Sequence, residues 1–137
     1  MKKMLNLAFA YAVAAMAGGV FYREFTKFSG FVGETALGKV HPHLFLLGML
    51  VYLVIALYAA HNDLGKLRSF RAFLWCYNIG VPLTAAMMVV RGVPQVLGLT
   101  LSNAASASIS GLAGIGHILT GAGIVLLLVS LKKLAKN

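Results

Sequence analysis

Apolar residues fall into four long blocks separated by short polar segments. The blocks run from about Met4 to Tyr22, Thr35 to Ala60, Phe70 to Val90 and Ser108 to Leu131. A helix that crosses a bilayer needs about 20 mostly apolar residues, and each block supplies such a run. The pattern predicts an all-α protein, an integral membrane bundle of four transmembrane helices forming one domain over residues 1–137. The first block, with Lys2 and Lys3 ahead of it and Ala14, Ala15 and Ala17 within it, has the order of parts of a signal peptide. It is long for the apolar region of such a peptide and is read as a retained span. The patch SNAASASISG, Ser102 to Gly111, is read as a loop leading into the start of the fourth span.

Within each block, small and polar residues recur at helical spacing. In a bilayer these mark the faces that meet other helices, because lipid leaves little hydrophobic drive between spans. Span one carries Ala8, Ala12, Ala15, Gly19 and Tyr22. Span three carries Tyr77, Val81, Thr84, Met88 and Arg91, and span four Ser110, Gly114, His117 and Gly121. In span two, Gly38, His41, Phe45, Gly48, Tyr52, Ala56 and Ala59 share one face and are expected to look inward. His43, Leu46, Leu47, Leu50, Val54 and Leu57 share the opposite face and are expected to look to lipid or to another subunit. Pro42 either starts this helix or kinks it, and a kink would re-aim His43 inward.

Composition agrees with the pattern. Hydrophobic residues make up 60% of the chain, charged residues 11%, and the mean hydropathy is +0.87. Soluble domains carry about 25% charged residues, so a soluble enzyme and a disordered chain are both excluded. The net charge is +9. Its cations lie between apolar runs, which makes lipid headgroups, and not nucleic acid, the expected partner. Lys2, Lys3, Lys66, Arg68, Arg71, Lys132, Lys133 and Lys136 fall on one side, and Arg23, Lys27, Lys39 and Arg91 on the other. The positive-inside rule then places both termini in the cytoplasm.

Ionisable side chains inside a span are rare and usually functional. His61 sits at the end of span two beside Asn62 and Asp63 and reads as an interfacial loop residue. His117 lies deep in span four between Gly114 and Gly121, which leave a flat slot beside the helix, the shape a porphyrin requires. His41 lies at similar depth in span two, with Gly38 and Gly48 on its face. Two imidazoles on facing helices are how a bundle holds a haem. The expected site is therefore a b-type haem in the outer half of the bundle. Its axial ligands would be His117 and His41, with His43 the alternate. Arg23, Lys39 and Arg91 are candidates to pair with the haem propionates.

Other chemistry fits less well. The lone Cys76 excludes an internal disulfide and a multi-cysteine metal site. Glu24, Glu34 and Asp63 all lie at ends or in loops, so a zinc hydrolase would lack its general base. Met87 and Met88 read as packing residues. No phosphate loop or nucleophile–base pair is apparent.

Three segments, GGVFYREFTKF at Gly18 to Phe28, HPHLFLLGM at His41 to Met49 and GIGHI at Gly114 to Ile118, together resemble a family of small four-span bacterial membrane proteins of unknown function. VHPHLFLLG also resembles, over about ten residues, the haem-ligand helix of nitric-oxide-reductase-type haem-copper oxidases. The family resemblance implies a protein of the bacterial cytoplasmic membrane and a link to haem sensing and tolerance. Carried over by position, it points to His41, His43, His117, Arg23 and Glu24. Pro42 departs from the family pattern and leaves the choice between His41 and His43 open. The expected role is haem sequestration or electron transfer, with a redox partner or a second copy compatible with it. Rival readings are a haem-free transport module for a small solute or metal ion, lined by His41 and His117, and a structural subunit of a larger complex.

Overall fold

The computed structural model describes residues 1–135, so Lys136, counted above among the basic residues of one end, lies outside the described residues. The chain is all-helical, and four of its helices are long and apolar enough to cross a membrane. They are α1 (Lys2–Phe28), α2 (Ala36–His61), α3 (Arg68–Val96) and α4 (Asn103–Leu134). A short 3-10 turn, Leu64–Lys66, joins α2 to α3.

The expected spans are found, and several helix ends lie further out than the apolar runs suggest. α1 and α3 close with the same device. Gly30 (φ 62°) and Gly98 (φ 65°) take the left-handed conformation just past the last turn. Phe31 N then donates to Thr26 O at 3.0 Å and Leu99 N to Pro94 O at 3.0 Å. These bonds satisfy carbonyls that a helix end otherwise leaves bare. At the other junction Ser102 caps α4, its side chain accepting from Ala105 N at 3.2 Å. The serine- and alanine-rich patch expected as a loop is thus the first turns of α4. Ala and Ser carry no bulk that opposes a helix, and the cap supplies the start.

Neighbours in sequence pack against each other: α1 on α2, α2 on α3 and α3 on α4, with no extensive contact between α4 and either α1 or α2. The α3–α4 seam is the closest. A Cβ added at Gly80 would lie 2.6 Å from Thr120 N, and one at Gly116 would lie 2.6 Å from Thr84 Oγ1. Gly123 meets the Tyr77 ring in the same way. Near the termini Ser130 Oγ donates to Ser69 Oγ at 2.8 Å across the same seam. Small residues and polar bonds thus do the work expected of them in lipid.

α1 and α2 join through aromatic packing. Tyr11 stacks on Tyr52 at 5.7 Å, and Tyr52 meets Phe73 and Tyr77 of α3 at 6.4 and 6.1 Å. Tyr52 Oη donates to Asn78 Oδ1 at 3.0 Å. The inward faces read from the sequence hold for α1 (Ala8, Ala15), α2 (Gly48, Tyr52, Ala56) and α3 (Tyr77, Val81, Thr84), all of which are buried.

α2 is not a uniform helix. It opens as a 3-10 turn, Ala36–Lys39, continues as α-helix over Val40–His43, widens into π-helix over Leu44–Leu50 and returns to α-helix at Val51. Pro42 explains the site of the change: it has no N–H to donate, and its ring crowds the carbonyl four residues earlier. π turns inside helices recur at functional sites. Tyr77 Oη donates to Leu47 O at 2.8 Å, anchoring the widened turns to α3. The start of α2 is held as firmly. Thr35 Oγ1 lies 3.1 Å from Gly92 O, and Ala36 N donates to Gln95 Oε1 at 2.8 Å.

Two outcomes follow. Gly116→Leu is expected to cost about 3 kcal/mol by overpacking the α3–α4 seam. Gly111→Leu, where a Cβ meets nothing within 4 Å, is expected to hold or raise stability through helix propensity; thermal unfolding in detergent followed by circular dichroism compares them. Tyr77→Phe is expected to cost about 1 kcal/mol. It should speed amide exchange across Leu47–Tyr52 while leaving α4 unchanged, which exchange mass spectrometry reads directly.

Candidate functional site

The histidines divide by what surrounds them. His41 faces α1: its ring packs on Gly19, where a Cβ would lie 3.6 Å from His41 Cγ. Its Nδ1 is buried without a hydrogen-bond partner. The glycines on its face leave no slot. Gly38 is covered by the Tyr22 ring, 3.3 Å from an added Cβ, and Gly48 by the Tyr11 ring, which an added Cβ would overlap.

His117 sits otherwise. It is exposed at the surface of α4, and Gly114 and Gly121 beside it have open space where a Cβ would stand. The expectation that His41 and His117 meet across facing helices is therefore corrected: His41 looks towards α1, and α4 does not pack on α2. The physical reason lies in α4, which carries small residues on two faces. Gly116, Thr120 and Gly123 give the closer approach to α3 and are buried. That turns the strip of Ser110, Gly114, His117 and Gly121 away from the contact.

His43 and His117 share a geometry. His43 Nδ1 lies 2.8 Å from Lys39 O, and His117 Nδ1 lies 2.8 Å from Ala113 O. A carbonyl only accepts, so each bond needs a proton on Nδ1, which in the neutral ring leaves the lone pair on Nε2. A histidine held this way has its tautomer and ring orientation set for metal ligation.

Helix geometry turns the two rings to the same side of α3. α2 and α4 both pack on α3, on neighbouring faces: Gly116 of α4 meets Thr84, and Val40 and Leu44 of α2 cluster with Ala85. Successive residues of a helix are about 100° apart and rise 1.5 Å, so the two contacts lie at one level on adjacent sides of α3. Both neighbours run antiparallel to α3. On an antiparallel neighbour a forward step from the contact turns to the same side as a forward step on α3. His117, one residue after Gly116, thus turns towards the α2 side. His43, one residue before Leu44, turns towards the α4 side.

The cations follow the same division. Arg91 Nη2 donates to Ser110 Oγ at 2.7 Å and to Ser106 O at 3.2 Å. Its guanidinium therefore stands on the His117 strip, about 10 Å nearer the start of α4, since Ser110 lies two turns before His117. Lys39, exposed, is one turn before His43 and lines with it, Pro42, Leu46 and Leu47 a cleft of about 270 Å³. Arg23 stands apart, exposed on α1 and 3.8 Å from Glu24 Oε1. His61 is exposed at the end of α2. Among the described residues no three His, Cys, Asp or Glu side chains converge, so a three-histidine site is not assembled.

The roles of Thr120 and Gln95 as parts of the frame that positions these histidines went unread in the sequence, whereas Thr84 was read as facing another helix. Gly116 and Gly123 carried a signal, a second small-residue stripe on α4; Gln95 carried none, since its partner lies 59 residues away.

The chain belongs to the family described as "Protein of unknown function (DUF2871)", whose model matches residues 1–134. No curated protein and no solved structure matches it.

Proposed function

We propose that this DUF2871 member binds a b-type haem in the groove between α2 and α4, with His43 and His117 as axial ligands. The observation that carries the reading is the matched pair of imidazoles. Each has its Nδ1–H tied to the carbonyl four residues earlier, its Nε2 lone pair left for a metal, and a place on the same side of α3 at the same level. His41, on the other side of α2, is assigned a packing role against Gly19. Gly114 and Gly121 leave the surface of α4 beside His117 clear, whereas Tyr11 and Tyr22 fill the space beside Gly48 and Gly38 on the His41 face.

A haem held by His43 and His117 would supply one-electron redox chemistry. The chain's own residues would bind and orient it. Lys39 and Arg91, towards the outer end of the groove, pair with two propionates through charge-assisted hydrogen bonds. His117 is exposed on the surface of α4, so a hydrophobic ligand reaches it from the bilayer. Uptake of membrane-dissolved haem suits sequestration better than catalysis at the iron. The excess of Lys and Arg at the end bearing Lys2, Lys3, Lys66 and Arg68 supports an orientation with both termini in the cytoplasm, in the bacterial cytoplasmic membrane.

The test is haem content per chain, by pyridine haemochromogen assay, after purification from cells supplied with haem. His43→Ala and His117→Ala are expected to lose nearly all bound haem. His41→Ala and His61→Ala are expected to keep it. Retention in His43→Ala with loss in His41→Ala would overturn the ligand assignment. A wild-type chain that cannot be loaded would overturn the haem reading and return attention to transport or a structural role.

A further inference from the structure

A second site lies at the opposite end, between α1 and α2. Near the termini, α1 and the α2–α3 turn enclose a cavity of about 470 Å³, with Lys2, Lys3 and Asn62 at its rim and Ala59, Phe70 and Leu74 among its lining. Its neighbour, of about 320 Å³, has no polar lining residue and follows the α1–α2 seam past Leu5, Leu53, Leu57 and Ala60. A third, of about 490 Å³, shares Leu5 and Leu53 with the second and continues past Asn6, Phe9, Ala12 and Met49. The first two share Met1, so a hollow bordered by Lys2 and Lys3 adjoins a mainly apolar furrow along the α1–α2 seam. From Ala60 to Met49 it runs about 16 Å at 1.5 Å per residue.

The charges at the mouth are not balanced within the chain. Asp63, the one acid at the rim, is paired with Lys66 at 3.0 Å. Among the described residues, neither Lys2 nor Lys3 has a carboxylate partner. Asn62 is held in place by a bond from its Nδ2 to Tyr58 O at 3.1 Å. Its carbonyl oxygen remains to accept from a hydroxyl.

We propose that these adjoining hollows bind one anionic glycerophospholipid, its phosphate between Lys2 and Lys3 and one acyl chain laid in the α1–α2 seam. Basic pockets between spans are the recognised setting for anionic headgroups. A phosphate alone would satisfy the mouth; the apolar continuation selects the lipid. The site is independent of the haem reading and lies at the other end of α2.

The experiment is native mass spectrometry of the delipidated full chain, titrated with phosphatidylglycerol and, separately, with phosphatidylcholine of the same acyl chains. Phosphatidylglycerol is expected to bind about tenfold more tightly or better. The double variant Lys2→Gln/Lys3→Gln should lower its affinity to that of phosphatidylcholine. Ala60→Trp, which fills the seam and leaves both lysines, should weaken phosphatidylglycerol binding. Lys132→Gln/Lys133→Gln, an equal loss of charge at the same end, should change nothing. Equal binding of the two lipids, equal effects of the two lysine pairs, or displacement of the lipid by millimolar glycerol phosphate would each overturn the proposal.

Discussion

The close approach of α3 and α4 sets the rest of the molecule. Glycines at 80, 116 and 123 let two backbones come within reach of Thr84, Thr120 and Tyr77, where any side chain would intervene. In lipid this contact replaces the hydrophobic drive that orders a soluble bundle. It fixes the rotation of α4 about its axis, and that rotation decides where His117 points. A one-residue change in the contact face would turn the imidazole by about 100°, away from the groove altogether.

α2 is shaped by a conflict. A proline inside an apolar helix removes one hydrogen bond and crowds another residue. The chain answers with a 3-10 entry, one α turn and a π segment. Tyr77 braces the widened turns from α3, and Thr35 and Gln95 brace the entry. The two histidines on either side of Pro42 thereby have different surroundings. One is packed against α1 with no partner for its Nδ1, and the other is tied to Lys39 O and turned to the opposite side.

What could be read from the residues followed from how strongly each signal constrains structure. Four spans were legible because twenty apolar residues in a row leave few alternatives. The inward faces of α1, α2 and α3 were legible because a single stripe of small or polar residues marks each. α4 misled because two such stripes exist. Periodicity does not say which glycines meet a partner backbone and which stand in the open, and the histidine drew attention to the open one. The π segment was foreshadowed at Pro42, but its hand in choosing between His41 and His43 depends on Tyr11, Tyr22 and Tyr77 from two other helices. Those are contacts across the fold, which local pattern does not carry.

The proposed function rests on two imidazoles, those of His43 and His117, each with its Nδ1 tied to the carbonyl four residues earlier. The most direct measurement is the reduced-minus-oxidised absorption spectrum of the wild-type protein, purified in detergent after haem is supplied, with electron paramagnetic resonance of the oxidised form. The account expects sharp α and β bands and the low-spin signal of a bis-imidazole iron at one haem per chain. A colourless protein, or a haem that is only high-spin, would contradict it.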